Sequence, residues 1–120
     1  MLFRSRVRYK QYVTTTDYKQ KETEAHAKIL DLHLRFQELN IPHLFFNAMW
    51  HFRYQDADTD WNGCYLEPYD PEWTFSEWAV LNGFGERNQH YGPEAHSAWA
   101  NILAKRLTPM LESEIGRAHV

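Results

Sequence analysis

His51 is followed by Asp56, Asp58 and Asp60, three carboxylates at alternate positions. A hard divalent cation takes several oxygen ligands, so such a run suits magnesium or manganese. A histidine titrating near neutrality beside carboxylates can serve as general base or as ligand. Together these residues raise the reading of a metal-dependent hydrolase or nuclease built on His51, Asp56, Asp58 and Asp60. Glu67 falls at position twelve of a calcium-loop count from Asp56. Trp61, however, occupies the position where that loop needs glycine, and Pro68 follows where a helix should continue. The plain alternative is a solvated acidic turn.

A second constellation is basic. Arg6, Arg8 and Lys10 alternate along one stretch, and His43, Asn47, His51 and Arg53 lie on one period-two face of another. If both stretches are neighbouring strands, these seven side chains share a surface, with Phe45 and Met49 between them. Arg53 would suit a bidentate bond to a phosphate. This face gives the favoured expectation, a non-enzymatic protein that binds an anionic ligand, either a nucleotide-like small molecule or nucleic acid. The competing expectation is that an acidic segment covers the face. Residues 1–54 carry nine Lys/Arg against five Asp/Glu, whereas residues 55–94 carry Arg87 alone against nine acids. A third expectation is a structural or partner-binding protein, dimeric through an exposed strand edge.

Other chemistry is sparse. His26 and His33 are seven apart and share a helix face, without the third ligand four residues away that a local metal motif would supply. His90 and His96 lie near the last helix. Cys64 has nothing local that marks it as a nucleophile and reads as inert. Trp61, Tyr69 and Tyr91 stand outside any buried stripe and read as exposed rings able to stack a base. There is no phosphate-cradling glycine loop and no Gly-x-Ser-x-Gly elbow. No cofactor is required by the pattern.

The elements that must position these residues follow from periodicity and caps. Arg6 to Thr15 alternates and is rich in Val, Tyr and Thr, which predicts a strand. Asp17 and Gln20 form a helix-start box, and the helix runs to about Leu39 on a stripe of Ala25, Ile29, Leu30, Leu32, Phe36 and Leu39. Asn40 and Pro42 stop it. A second strand is predicted over 43–54, with Leu44, Phe46, Ala48, Trp50, Phe52 and Tyr54 as its core face. Residues 55–72 read as an acidic loop with a short strand at Cys64–Leu66. Thr74 and Glu77 start a short helix from Phe75 to about Asn82, closed by Gly83. Pro93 opens the last helix, and Pro109 bars its straight continuation. The expected fold is therefore α+β: a small sheet begun by strand–helix–strand, an acidic loop, then two C-terminal helices packed on one face.

The 120 residues are about one domain by length, placed at 6–113. The aromatic share of 16% supplies large side chains for a small core, and fourteen of the nineteen Phe, Trp and Tyr fall within 43–99. One cysteine excludes an internal disulfide and fits a reducing, cytoplasmic setting. The longest apolar run, Leu44–Phe52, is interrupted by Asn47 and His51, so no membrane span is expected. Leu2–Ser5 and Ile115–Val120 back-translate to a common short-read sequencing adapter, the two overlapping as reverse complements, which marks 1–5 and 115–120 as expected tails rather than evolved structure. The same feature points to environmental DNA, where small aromatic-rich proteins are often phage-encoded.

Overall fold

The first two helices begin and end on residues whose side chains or backbone freedom satisfy their unpaired groups. A computed structural model describes residues 17–85 and 91–118, with side chains to residue 113. The predicted strand Arg6–Thr15 and His90 lie outside the described residues, and so do Arg6, Arg8 and Lys10 of the basic face. Helix α1 spans Tyr18–Glu38, α2 Phe75–Leu81 and α3 Pro93–Ala118, with a 3₁₀ turn at Pro71–Trp73. No helix of the described residues is long and apolar enough to cross a membrane.

Asp17 caps α1 by accepting the Gln20 N–H at 3.0 Å. At its other end Asn40 takes φ 56°, the left-handed conformation that asparagine tolerates better than most residues. The Asn40 N–H then reaches the Gln37 carbonyl, and the Ile41 N–H reaches that of Phe36, so two end carbonyls are satisfied. The same closure recurs on α2. Thr74 accepts the Glu77 N–H at its start. Gly83, at φ 79°, donates to Val80 while Phe84 donates to Ala79. Both termini of α2 thus follow the expected caps.

The expected sheet is not formed among the described residues, which hold one isolated parallel bridge, Phe45 to Tyr65. The α+β expectation is corrected to a helical fold with extended connections. The reason is visible in the hydrogen bonds of 43–54. Phe45 donates to Cys64 and accepts from Leu66, and Phe52 donates to Pro68. Asn47 and Ala48 instead offer their carbonyls to the N–H groups of Phe75 and Ser76, in the first turn of α2. The partner segment cannot extend a ladder, because Glu67 takes φ 42° and Pro68 has no N–H to give. Backbone groups that would build a strand pair are satisfied by a turn and a helix end.

The core also differs from the expected stripes. Leu32 of α1 and Leu39, the residue that follows it, are exposed, and His26 and His33 are the buried side chains of α1. Of the expected strand core, Phe52 is buried while Phe46, Trp50 and Tyr54 are exposed. Phe52, Trp61 and Tyr65 form the centre, with Ile29, Leu30, Phe45 and Tyr69 packed around it. A second group of rings joins the C-terminal helices: Trp99 meets Phe46, Phe75 and Trp78 at 5.1–5.5 Å between centroids. Phe45 and Phe46 therefore send their rings to opposite sides. The alternation of 43–54 is real in direction, but its two sides serve two aromatic groups rather than the two faces of a sheet.

Helix α3 continues through Pro109 to Ala118, where a break was expected. Proline costs this helix one hydrogen bond, to the carbonyl of Lys105, and an exposed carbonyl can be satisfied by water.

Candidate metal centre

Three ligand-bearing side chains converge from separate parts of the chain. His33 comes from the last turns of α1, His43 from the extended segment after Pro42, and Cys64 from the turn that precedes Tyr65. One ligand atom of each lies within 4.8 Å of the other two. Local structure places each of them. The left-handed Asn40 reverses the chain after α1, so His43 returns against His33. The Phe45–Cys64 hydrogen bond of 2.8 Å sets the cysteine beside this pair.

The protonation pattern follows from the partners. His43 Nδ1 lies 2.8 Å from the Ile41 carbonyl oxygen, which can only accept, so that nitrogen carries a hydrogen. In the neutral ring its Nε2 then presents a bare lone pair. This Nε2 lies 2.6 Å from His33 Nδ1. Two bare lone pairs repel at that distance, so a hydrogen on His33 or a cation must stand between them. His33 is fully buried, and its other nitrogen, Nε2, has no hydrogen-bond partner. Burial and the neighbouring His43 push the His33 pKa down, against the opposing pull of Asp60, so a neutral ring is favoured. Burial pushes the Cys64 thiol up; its Sγ contacts only the Asn62 carbonyl oxygen, at 3.7 Å, among hydrogen-bonding partners.

His43 and Cys64 also line an open cleft of about 440 Å³ whose wall includes Gln37, Asn40, Pro109 and Met110. Among the described side chains that line it there is no Asp, Glu, Lys or Arg. Two imidazoles and a thiol are donors for a borderline or soft transition-metal ion, unlike the carboxylate set expected for magnesium. Zinc or its analogues would hold such donors about 3.3–3.7 Å apart in a tetrahedral arrangement, from metal–ligand distances of roughly 2.0–2.3 Å. The observed spacing needs shifts of about an ångström, and the backbone carbonyl on His43 Nδ1 is the usual outer partner of a ligating histidine.

The residues singled out from sequence take other places. Asp56 accepts the Asp58 N–H and Asp60 that of Asn62, each at 2.9 Å, so these carboxylates cap their own turns. Among the described residues, His33, His43 and Cys64 are the group of three or more potential ligands that converges; His51 and the three aspartates are not in it. His51 is half-buried and contributes charge to Glu22 rather than to an acidic cage. Asn47 faces inward, with its amide donating to Pro68 and its oxygen accepting from Tyr65. Arg53 has an exposed side chain, and its N–H goes to Glu22. The sheet face on which the anion platform was expected is not formed over 43–54; there His43 is engaged with His33 and the Ile41 carbonyl, and Asn47 with Pro68 and Tyr65.

The three rings read as exposed are also engaged. Trp61 is only 5% exposed, and its indole N–H donates to the Tyr69 hydroxyl at 3.0 Å. Tyr69 in turn lies 2.8 Å from His26 Nε2. Tyr91 donates to the Ser76 carbonyl. His33 and Cys64 are the site residues that local spacing did not reveal. Compared with known proteins, the chain matches no family model, no curated protein and no solved structure.

Proposed function

We propose that this chain is a small metal-binding protein, taking a transition-metal ion of borderline or soft character on His33 Nδ1, His43 Nε2 and Cys64 Sγ. The observation that carries this reading is the convergence of those three atoms within 4.8 Å from three separate segments. The ion would cross-link α1, the extended segment and the Cys64 turn. That suits a fold whose described residues include few buried apolar side chains and form no sheet. Bound to the ion, His33 carries its hydrogen on Nε2, while His43 keeps its Nδ1–H, donated to the Ile41 carbonyl oxygen.

Cobalt(II) titration of the reduced protein tests the reading. A thiolate-to-cobalt charge-transfer band and strong tetrahedral ligand-field absorption are expected at one equivalent. Cys64→Ser should remove the charge-transfer band, and His43→Asn should lower affinity by more than tenfold. A weak, octahedral spectrum that is the same in Cys64→Ser would overturn the assignment.

A further inference from the structure

Resting on that metal-binding reading, we infer that the site prefers a monovalent soft ion, copper(I), and that Met110 supplies its thioether as a further ligand. Met110 lines the same cleft as His43 and Cys64 and is half-buried there, although most of its neighbours on α3 are exposed. A thioether is a weak ligand for zinc and cobalt but a good one for copper(I). Methionine at this place therefore adds discrimination that the His–His–Cys set lacks.

Charge favours the same ion. One thiolate with neutral imidazole and thioether donors balances a single positive charge, whereas a divalent ion keeps one charge uncompensated. Among the described side chains lining the cleft, none is a carboxylate that would neutralise it. Asp60, the acid that acts electrostatically on His33, is exposed and engaged with the Asn62 N–H. An uncompensated charge beside a fully buried imidazole is costly.

The donors also come from four places in the chain: α1, the segment after it, the Cys64 turn and α3. Arg106 on α3 already approaches Glu67 of the same turn region at 3.9 Å. A copper–thioether bond would fasten α3 to that region one helical turn further on.

The test compares full-length wild-type, Met110→Leu and Cys64→Ser proteins, reduced and without oxygen. Copper(I) affinity is read by competition with a chromogenic chelator, and cobalt(II) affinity by absorption. Met110→Leu should weaken copper(I) by at least the roughly 10-fold that even outer-shell losses cause. It should leave cobalt(II) within about twofold, and the metal-free melting temperature unchanged. X-ray absorption at the copper edge of selenomethionine-labelled protein should show selenium scattering that Met110→Leu abolishes. Equal copper(I) affinity in wild type and Met110→Leu, or no selenium scattering, overturns the role of Met110 while Cys64→Ser still reports the underlying site. If Cys64→Ser changes neither ion, the site itself is refuted.

Discussion

Glu22 is the side chain whose replacement tests the packing of 53–55 against α1 most directly. Its two carboxylate oxygens accept the Arg53 and Tyr54 backbone N–H groups at 2.7 and 2.8 Å, and the Gln55 amide adds a third bond at 3.2 Å. Burial pushes the Glu22 pKa up, but the Arg53 and Tyr54 N–H groups, Gln55 and His51 outweigh it and hold the carboxyl below its ordinary range. Glu22→Gln keeps the shape and one acceptor oxygen, while its NH₂ faces an N–H that cannot accept. Hydrogen bonds to charged groups contribute about 1.5–3 kcal/mol each in general. Glu22 is only half-buried, and water compensates part of the loss, so about 1–2 kcal/mol is expected for the substitution. That corresponds to a melting temperature lower by roughly 3–8 °C for a chain of this size. Urea unfolding followed by tryptophan fluorescence at pH 7 measures it. The pH dependence gives an independent check. A carboxyl with a depressed folded pKa contributes stability that is present above its unfolded value of about 4.3. That stability is lost as pH falls through the lower folded value. The difference between wild type and Glu22→Gln should therefore shrink in acid. No destabilisation at pH 7, or a difference that persists undiminished down to pH 2, would refute the argument.

Thr74→Ala removes the oxygen that accepts the Glu77 N–H and should cost about 1 kcal/mol, measured by thermal melting. Burial pulls the His26 pKa down against the opposing pull of Glu22 and Asp56, so its neutral form is the folded one, hydrogen-bonded to the Tyr69 hydroxyl. Stability from this group is full above the unfolded value of about 6.5 and declines as pH falls through the lower folded value. His26→Gln should flatten that decline between pH 7 and 5, and an unchanged slope would count against it. If zinc joins His33, His43 and Cys64, the melting temperature should rise with free zinc concentration as RT ln(1 + [L]/Kd) prescribes. An excess of chelator should reverse the rise, and Cys64→Ser should show none.

Much of the helical framework was legible in local chemistry. Asp17 with Gln20, Asn40 before Pro42, Thr74 with Glu77, and Gly83 each mark a helix end, because capping is settled within a few residues. That 43–54 pairs into no sheet was not legible, because alternation reports that side chains point to two sides and says nothing of what stands there. At 45 and 46 the two sides are two groups of rings. The i,i+7 spacing correctly put His26 and His33 on one face. Their polarity hid that this is the buried face, stabilised by ring contacts with Trp61 at 5.3 and 5.4 Å. The candidate metal centre was least legible. Its ligands are separated by nine and twenty intervening residues, so only the return of the chain at Asn40 and the Phe45–Cys64 bond bring them together.

The division of the rings on either side of Phe45 and Phe46 bears on how this chain can accumulate substitutions. Among the described residues, no ring contact joins the group around Trp61 to the group around Trp99. Energetic coupling between side chains requires contact or a shared partner, and distant, independent sites add to within a few tenths of a kcal/mol. Replacements around Trp61 and replacements around Trp99 therefore combine additively. Replacements over 45–47, where Phe45 and Phe46 face the two groups and Asn47 bonds Tyr65 through its side chain and Phe75 through its carbonyl, are where epistasis between the two halves concentrates. Each half can drift in sequence at its own pace, with that short segment as the constraint both must respect.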